Sequence, residues 1–172
     1  MGVPAREYVA PVARYRIRYA KRGRMRFASH RDFQRVFERA LRRAGVPMAY
    51  SAGFNPHPRI SYANAVATGA ASEAEYVEIG VARTLEPAAL AAALDASLPP
   101  GFDVLDVVPA STGDFPNRLE ASVWLVRLPD VPAPAAAAAV AALLAAPTVE
   151  VSRMTKEGLR TFDVRADILS HQ

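Results

Sequence analysis

The 172-residue chain has no cysteine. That excludes disulfides, thiolate zinc sites, a cysteine nucleophile and any iron–sulfur cluster held by this chain. Lysine is nearly absent, at 2 residues against 19 arginines. Long hydrophobic runs are missing as well. The longest, residues 133–146, is alanine-rich and falls short of the roughly 20 residues that span a bilayer. The N-terminal stretch lacks the apolar core of a signal peptide, so the expected location is cytoplasmic, with no membrane partner. No GxxxxGK[ST] loop, GxGxxG turn or GxSxG elbow occurs.

What is present suffices for a folded protein. Hydrophobic residues make up 51% and charged residues 22%. The net charge of +4 hides a strong asymmetry. Residues 1–60 carry 14 Arg/Lys and 3 Asp/Glu, a net of +11, whereas residues 61–172 have a net of −7. Segregated positive charge points to a polyanion, nucleic acid first. The competing view is a solvated face balanced by the rest of the fold. Abundant arginine and alanine both follow from GC-rich coding, so the position of the charge is more informative than its chemistry.

Residues 1–13 read as a tail. Basic and apolar residues alternate over 14–20, which predicts a half-buried strand with Arg14, Arg16 and Arg18 outward. A basic turn, Lys21–Arg24, follows. Ser29, with Asp32 three positions on, caps a helix whose apolar face is Phe33, Val36, Phe37, Ala40, Leu41 and Ala44. Gly45 and Pro47 end it. Its outer face carries Arg31, Arg35, Arg39, Arg42 and Arg43. A short strand at Met48–Ser51 leads into the rigid Gly53-Phe54-Asn55-Pro56-His57-Pro58-Arg59 loop. Strands are predicted at Ile60–Ala65, Tyr76–Val81 and Phe102–Val108. A helix opens at Pro87 with Leu90, Ala93, Leu94 and Leu98 on one face.

This order matches the ferredoxin-like βαββαβ arrangement over residues 14–110. Residues 110–118 read as a linker. The pattern then restarts, with a strand at Ala121–Leu128, a helix at Pro134–Ala146, a strand at Thr148–Met154, a turn at Lys156–Gly158 and a strand opening at Thr161. The expected fold is therefore α+β, two tandem ferredoxin-like units, the second (119–172) an incomplete βαββ.

The densest site candidate joins Arg26, Ser29, His30, Asp32, the Gly53–Arg59 loop and the acidic Ser72–Glu78 segment. A helix N-terminus beside Ser29, His30 and Arg31 is a natural phosphate seat. Phe54 suits stacking on a base, and Asn55 suits reading a base edge. Arg14, Arg16, Arg18, Arg24 and Arg26 would neutralise phosphates, and Arg31, Arg35, Arg42 and Arg43 would extend the track. Ser29, His30, Asn55, His57 and Arg59 would form the selective centre. Three functional alternatives stay open. RNA binding leads. Metal-independent RNA cleavage by His30 and His57 acting as general acid and base is weaker. A metal site using the same histidines with Glu73, Glu75 or Glu78 lacks any HxH or HExxH spacing. The bland alternative is that both histidines merely tie loop to helix. His171 reads as incidental, and Tyr15, Tyr19 and Phe27 as core or sheet-face residues.

The run Arg26-Phe27-Ala28-Ser29-His30-Arg31-Asp32, the helix end Arg39–Gly45, the Gly53–Pro58 loop and Ser72-Glu73-Ala74-Glu75-Tyr76 together resemble the radical SAM-linked protein family. So do Thr155-Lys156-Glu157-Gly158 and Phe162-Asp163-Val164-Arg165. The resemblance implies an accessory protein with no cofactor of its own, working beside a radical SAM protein that carries the cluster. It implies no catalytic residues. The function expected is RNA binding in support of a radical SAM or RNA-processing partner. A protein–protein docking module without RNA is the runner-up.

Overall fold

A computed structural model describes residues 10–63 and 65–169. Most of the expected tail, and His171, lie outside these residues. After Ser122 the chain divides into two compact units.

The first unit runs β1 (Ala13–Lys21), α1 (His30–Arg43), β2 (Ile60–Tyr62), β3 (Ser72–Val81), α2 (Pro87–Asp95) and β4 (Val104–Pro109). A 3-10 turn, Gly23–Phe27, joins β1 to α1. The strands form one sheet in the order β2-β3-β1-β4, and every pairing is antiparallel. β1 is thus hydrogen-bonded on both sides. Its alternation places Tyr15, Ile17 and Tyr19 in the core with Val77, Ile79 and Val81 of β3. Phe33, Phe37 and Leu41 of α1 and Leu90 and Leu94 of α2 close that core from one side. Tyr19 stacks on Phe33 at 4.1 Å between ring centroids, and Phe102 meets Phe33 edge-on at 5.0 Å. The other face of the sheet carries Arg14, Arg16 and Arg18, with Glu78 opposite Arg16 and Ser61 opposite Glu78.

The helix boundaries follow the capping chemistry. Ser29 and Asp32 form a complete capping box at α1. Gly45 takes φ 65° just past its end, in the left-handed region that a Cβ disfavours. Pro87 begins α2, and the Glu86 carboxylate accepts from the N–H groups of Ala88 and Ala89.

Three expectations need correction. The strand at Met48–Ser51 is reduced to two isolated bridges, Met48 to Val81 and Tyr50 to Pro58. Pro47 and Pro58 lack the N–H groups a longer ladder would need. Phe27 belongs to neither core nor sheet, because the 3-10 turn swings it out to 60% exposure. Residues 120–128 form no strand.

The second unit therefore contains α3 (Ala133–Ala145), β5 (Glu150–Thr155) and β6 (Gly158–Asp163), where βαββ was expected. β5 and β6 pair only with each other. Val123, Trp124, Leu125 and Val126 stay exposed and pair with neither edge of the two-stranded β5-β6 sheet. No residue of α3 is buried.

Tyr15 supplies a local test of the core. Its hydroxyl donates to the Leu85 carbonyl at 2.6 Å and accepts from the Leu85 N–H at 2.8 Å. Tyr15→Phe should cost about 1–3 kcal/mol, because both Leu85 groups lose their partner. The measurement is a lower urea midpoint with unchanged slope.

Candidate functional site

The outer face of the sheet is where the sequence places three phosphate-binding arginines. Two of them have internal partners. Arg16 donates to Glu78 at 3.0 Å and to the Thr112 hydroxyl at 3.1 Å. It also bonds the Thr112 carbonyl and lies over the Phe115 ring, 4.5 Å from its centroid. Its side chain is only 13% exposed. Phe115 in turn meets Tyr76 edge-on at 5.5 Å. The segment expected to be a linker is thus a strap folded across the outer face of the first unit. Arg14 reaches the other Glu78 oxygen at 3.6 Å but stays half exposed. Arg18 is exposed and makes no ion pair within 4.0 Å among the described residues. Arg22 is consumed by Glu73 at 2.6 Å and Asp103 at 3.3 Å. Glu75 is buried and accepts from the Val66 N–H.

The opposite side of the unit is different. Arg31, Arg35, Arg39 and Arg42 are exposed along α1 at spacings of four, four and three residues, which puts them on one helical stripe. None of the four makes an ion pair within 4.0 Å among the described residues. The stripe runs about 16 Å at 1.5 Å per residue. Arg43 leaves it, donating to the Ser97 carbonyl at 3.2 Å. Beside the helix start, exposed Arg24 and Arg26 flank the turn, and Arg26 lies over the exposed Phe27 ring at 4.6 Å.

The helix N-terminus itself is already filled. The Ser29 hydroxyl accepts from the Asp32 N–H at 3.1 Å, and the Asp32 carboxylate accepts from both the Ser29 N–H and its hydroxyl. Bonding to the Ser29 side chain, then to its backbone, holds the Asp32 carboxyl below its ordinary pKa. A carboxylate thus stands where the phosphate seat was expected. Ser29 is a capping residue.

The two histidines are not brought together. His30 sits within 3.0 Å of the Gln34 amide and packs edge-on against Tyr62 at 5.3 Å. Tyr62 faces the helices and is opposed by Val77. Burial, then the Glu38 charge, raises the Tyr62 hydroxyl pKa. His57 lies in the proline-bounded loop, with its backbone N–H on the Ser51 hydroxyl and its carbonyl on the Ser51 N–H. Its exposed ring lines a cavity of about 220 Å³ with Arg59, Ser61, Glu78 and Gly80. A second cavity of about 270 Å³ shares Arg14, Ser61 and Glu78 with it and extends to Asp114 and Phe115. Phe54 and Asn55 are exposed in the same loop. Among the described residues, no three His, Cys, Asp or Glu side chains are grouped to hold a metal ion. No described helix is long and apolar enough to cross a membrane.

Sequence reasoning passed over several of these groups. Arg39 shares the periodicity of its neighbours and could have been placed with them. Thr112 and Phe115 carried no signal, because their role depends on Arg16, nearly a hundred residues away in sequence.

The model of a family described as uncharacterized proteins conserved in bacteria, DUF2344, matches residues 14–172. The chain belongs to this family. No curated protein and no solved structure matches it. For this DUF2344 protein the match begins at the first outward arginine of β1 and includes the helix stripe, the proline-bounded loop and the strap.

The α1 cap can be tested by pH. Because the Asp32 pKa is lowered in the folded state, its contribution is present above the unfolded carboxyl pKa and is lost as pH falls through the folded value. Asp32→Asn should therefore flatten the acid side of the stability curve while lowering stability near neutrality, as read by thermal unfolding across pH 2–7.

Proposed function

We propose that this DUF2344 protein is an RNA-binding accessory protein of the bacterial cytoplasm, and that its first unit is a ferredoxin-like domain. The β-α-β-β-α-β order and the β2-β3-β1-β4 sheet support the fold assignment. One observation carries the functional one. Arg31, Arg35, Arg39 and Arg42 form an exposed stripe on α1 that closes no ion pair within 4.0 Å among the described residues, while Arg14, Arg16 and Arg22 are paired with carboxylates within the fold. Unpaired guanidinium groups at a regular spacing suit successive backbone phosphates. Arg24, Arg26 and the exposed Phe27 extend the track with a surface for an unstacked base. On this reading the sheet face, the usual platform of such folds, is not the RNA surface, because the strap covers it.

A second reading is a protein-docking module for a radical SAM partner, which the resemblance in the sequence implies. The exposed Val123-Trp124-Leu125-Val126 run favours it.

A gel shift with structured RNA across a salt series tests the first reading. Wild type should bind at low salt, with affinity falling steeply as salt rises. Replacing Arg31, Arg35, Arg39 and Arg42 by alanine should reduce the salt slope by about 3 and weaken binding at least about tenfold. Arg16→Ala should leave the slope unchanged. Absence of any shift at low salt overturns RNA binding. Co-purification with a radical SAM protein, free of nucleic acid, would then favour docking.

A further inference from the structure

We propose that the paired cavities on the outer face of the sheet form a binding site for a mononucleotide, separate from the α1 stripe on the opposite side of the same unit. The two cavities share Arg14, Ser61 and Glu78, so they are compartments of one groove. Together they reach the size of small-molecule sites, on the order of 300–1,000 Å³. An amino acid or a free phosphate would fill one compartment and leave the other open.

The groove is bipolar. At one end stand Arg59 and His57, with Arg14 between the compartments. Among the described residues the one carboxylate lining that compartment, Glu78, already holds both Arg14 and Arg16, so the end keeps a net positive charge. An anionic group belongs there. At the other end is Asp114 beside Phe115. Asp114 has φ 54°, a left-handed conformation uncommon outside glycine, and its carboxylate takes both contacts from the Asn117 amide at 2.9 and 3.0 Å. Each oxygen keeps a free lone pair. A carboxylate that still accepts hydrogen bonds, next to an aromatic ring, suits a base with adjacent ring N–H and amino donors. Guanine has that edge.

The floor of the cationic end is packed tightly around Gly80. A Cβ on Gly80 would lie 3.1 Å from the Cβ atoms of both Arg59 and Pro11, so any larger residue crowds the cationic end. Arg59 is anchored through its backbone, its N–H donating to Ala49 and its carbonyl accepting from Gly80. The guanidinium is therefore carried by a loop tied to β3 directly through the Arg59 carbonyl and indirectly through Ala49, whose N–H donates to the Gly80 carbonyl.

The test is titration of the whole chain with GMP, following the His57 ring resonances by NMR and the heat of binding by calorimetry. Saturable one-to-one binding that shifts the His57 resonances is expected. Guanosine and inorganic phosphate should each bind at least about tenfold more weakly than GMP. Arg59→Ala should weaken GMP about tenfold or more. Asp114→Asn, which the left-handed backbone tolerates, should remove the preference for GMP over inorganic phosphate. The α1 quadruple variant should leave GMP affinity within about twofold, so that failure of RNA binding and failure of this site are read separately. Unchanged His57 resonances at millimolar GMP overturn the proposal. So does phosphate binding as tightly as GMP, or GMP binding that survives both Arg59→Ala and Asp114→Asn.

Discussion

The first unit depends on β1 being paired on both sides. A central strand has no free edge, so its side chains are divided strictly between two faces. Tyr15, Ile17 and Tyr19 go to the helix layer, and Arg14, Arg16 and Arg18 go to the other. A slip of one residue would bury three guanidinium groups beneath α1 and α2. The register with β3 forbids it by setting Ile17 against Val77 and Arg16 against Glu78. Hydrophobic burial on one face and charge pairing on the other specify the same alignment.

That alignment also decides where positive charge is available. Glu78, held centrally on the outer face, neutralises two arginines, and the strap through Thr112 and Phe115 completes the cover over Arg16. Burying a guanidinium is tolerated only with such a full set of partners. On α1 the stripe of Arg31, Arg35, Arg39 and Arg42 closes no ion pair within 4.0 Å among the described residues, although the Asp32 carboxylate feels the Arg35 charge. The +11 of the first 60 residues is therefore not one patch. Part of it builds the fold, and the unpaired remainder is spread over the α1 stripe, Arg18, the Arg24–Arg26 turn and Arg59. The polar groove on the sheet side is a consequence of the same partition, since the proline-bounded loop lines one cavity at Glu78 and the strap lines the other.

The second unit shows what happens when pattern and partner part company. Residues 121–128 alternate as a strand should, and α3 has helix-forming alanine throughout. The helix forms because its hydrogen bonds are internal to the segment. The strand does not, because its hydrogen bonds must come from another strand, and β5 and β6 pair with each other rather than with it.

The sequence by itself determined the local elements whose causes are local. The two-residue period of β1, the Ser29–Asp32 box, Gly45 at the helix end and Pro87 at the start of α2 were all legible, and each stands where its chemistry predicts. So was the order of elements in the first unit. Only the tertiary structure decided which arginines are free, that His30 and His57 face different neighbours, that Phe27 is exposed, and that the apparent linker is a strap. Each of those depends on groups distant in sequence, Arg16 on Thr112 and His30 on Tyr62 among them, and no local period encodes such a pairing. Charge segregation could be counted along the chain. Its compensation depends on distances in space, and those exist only once the sheet has formed.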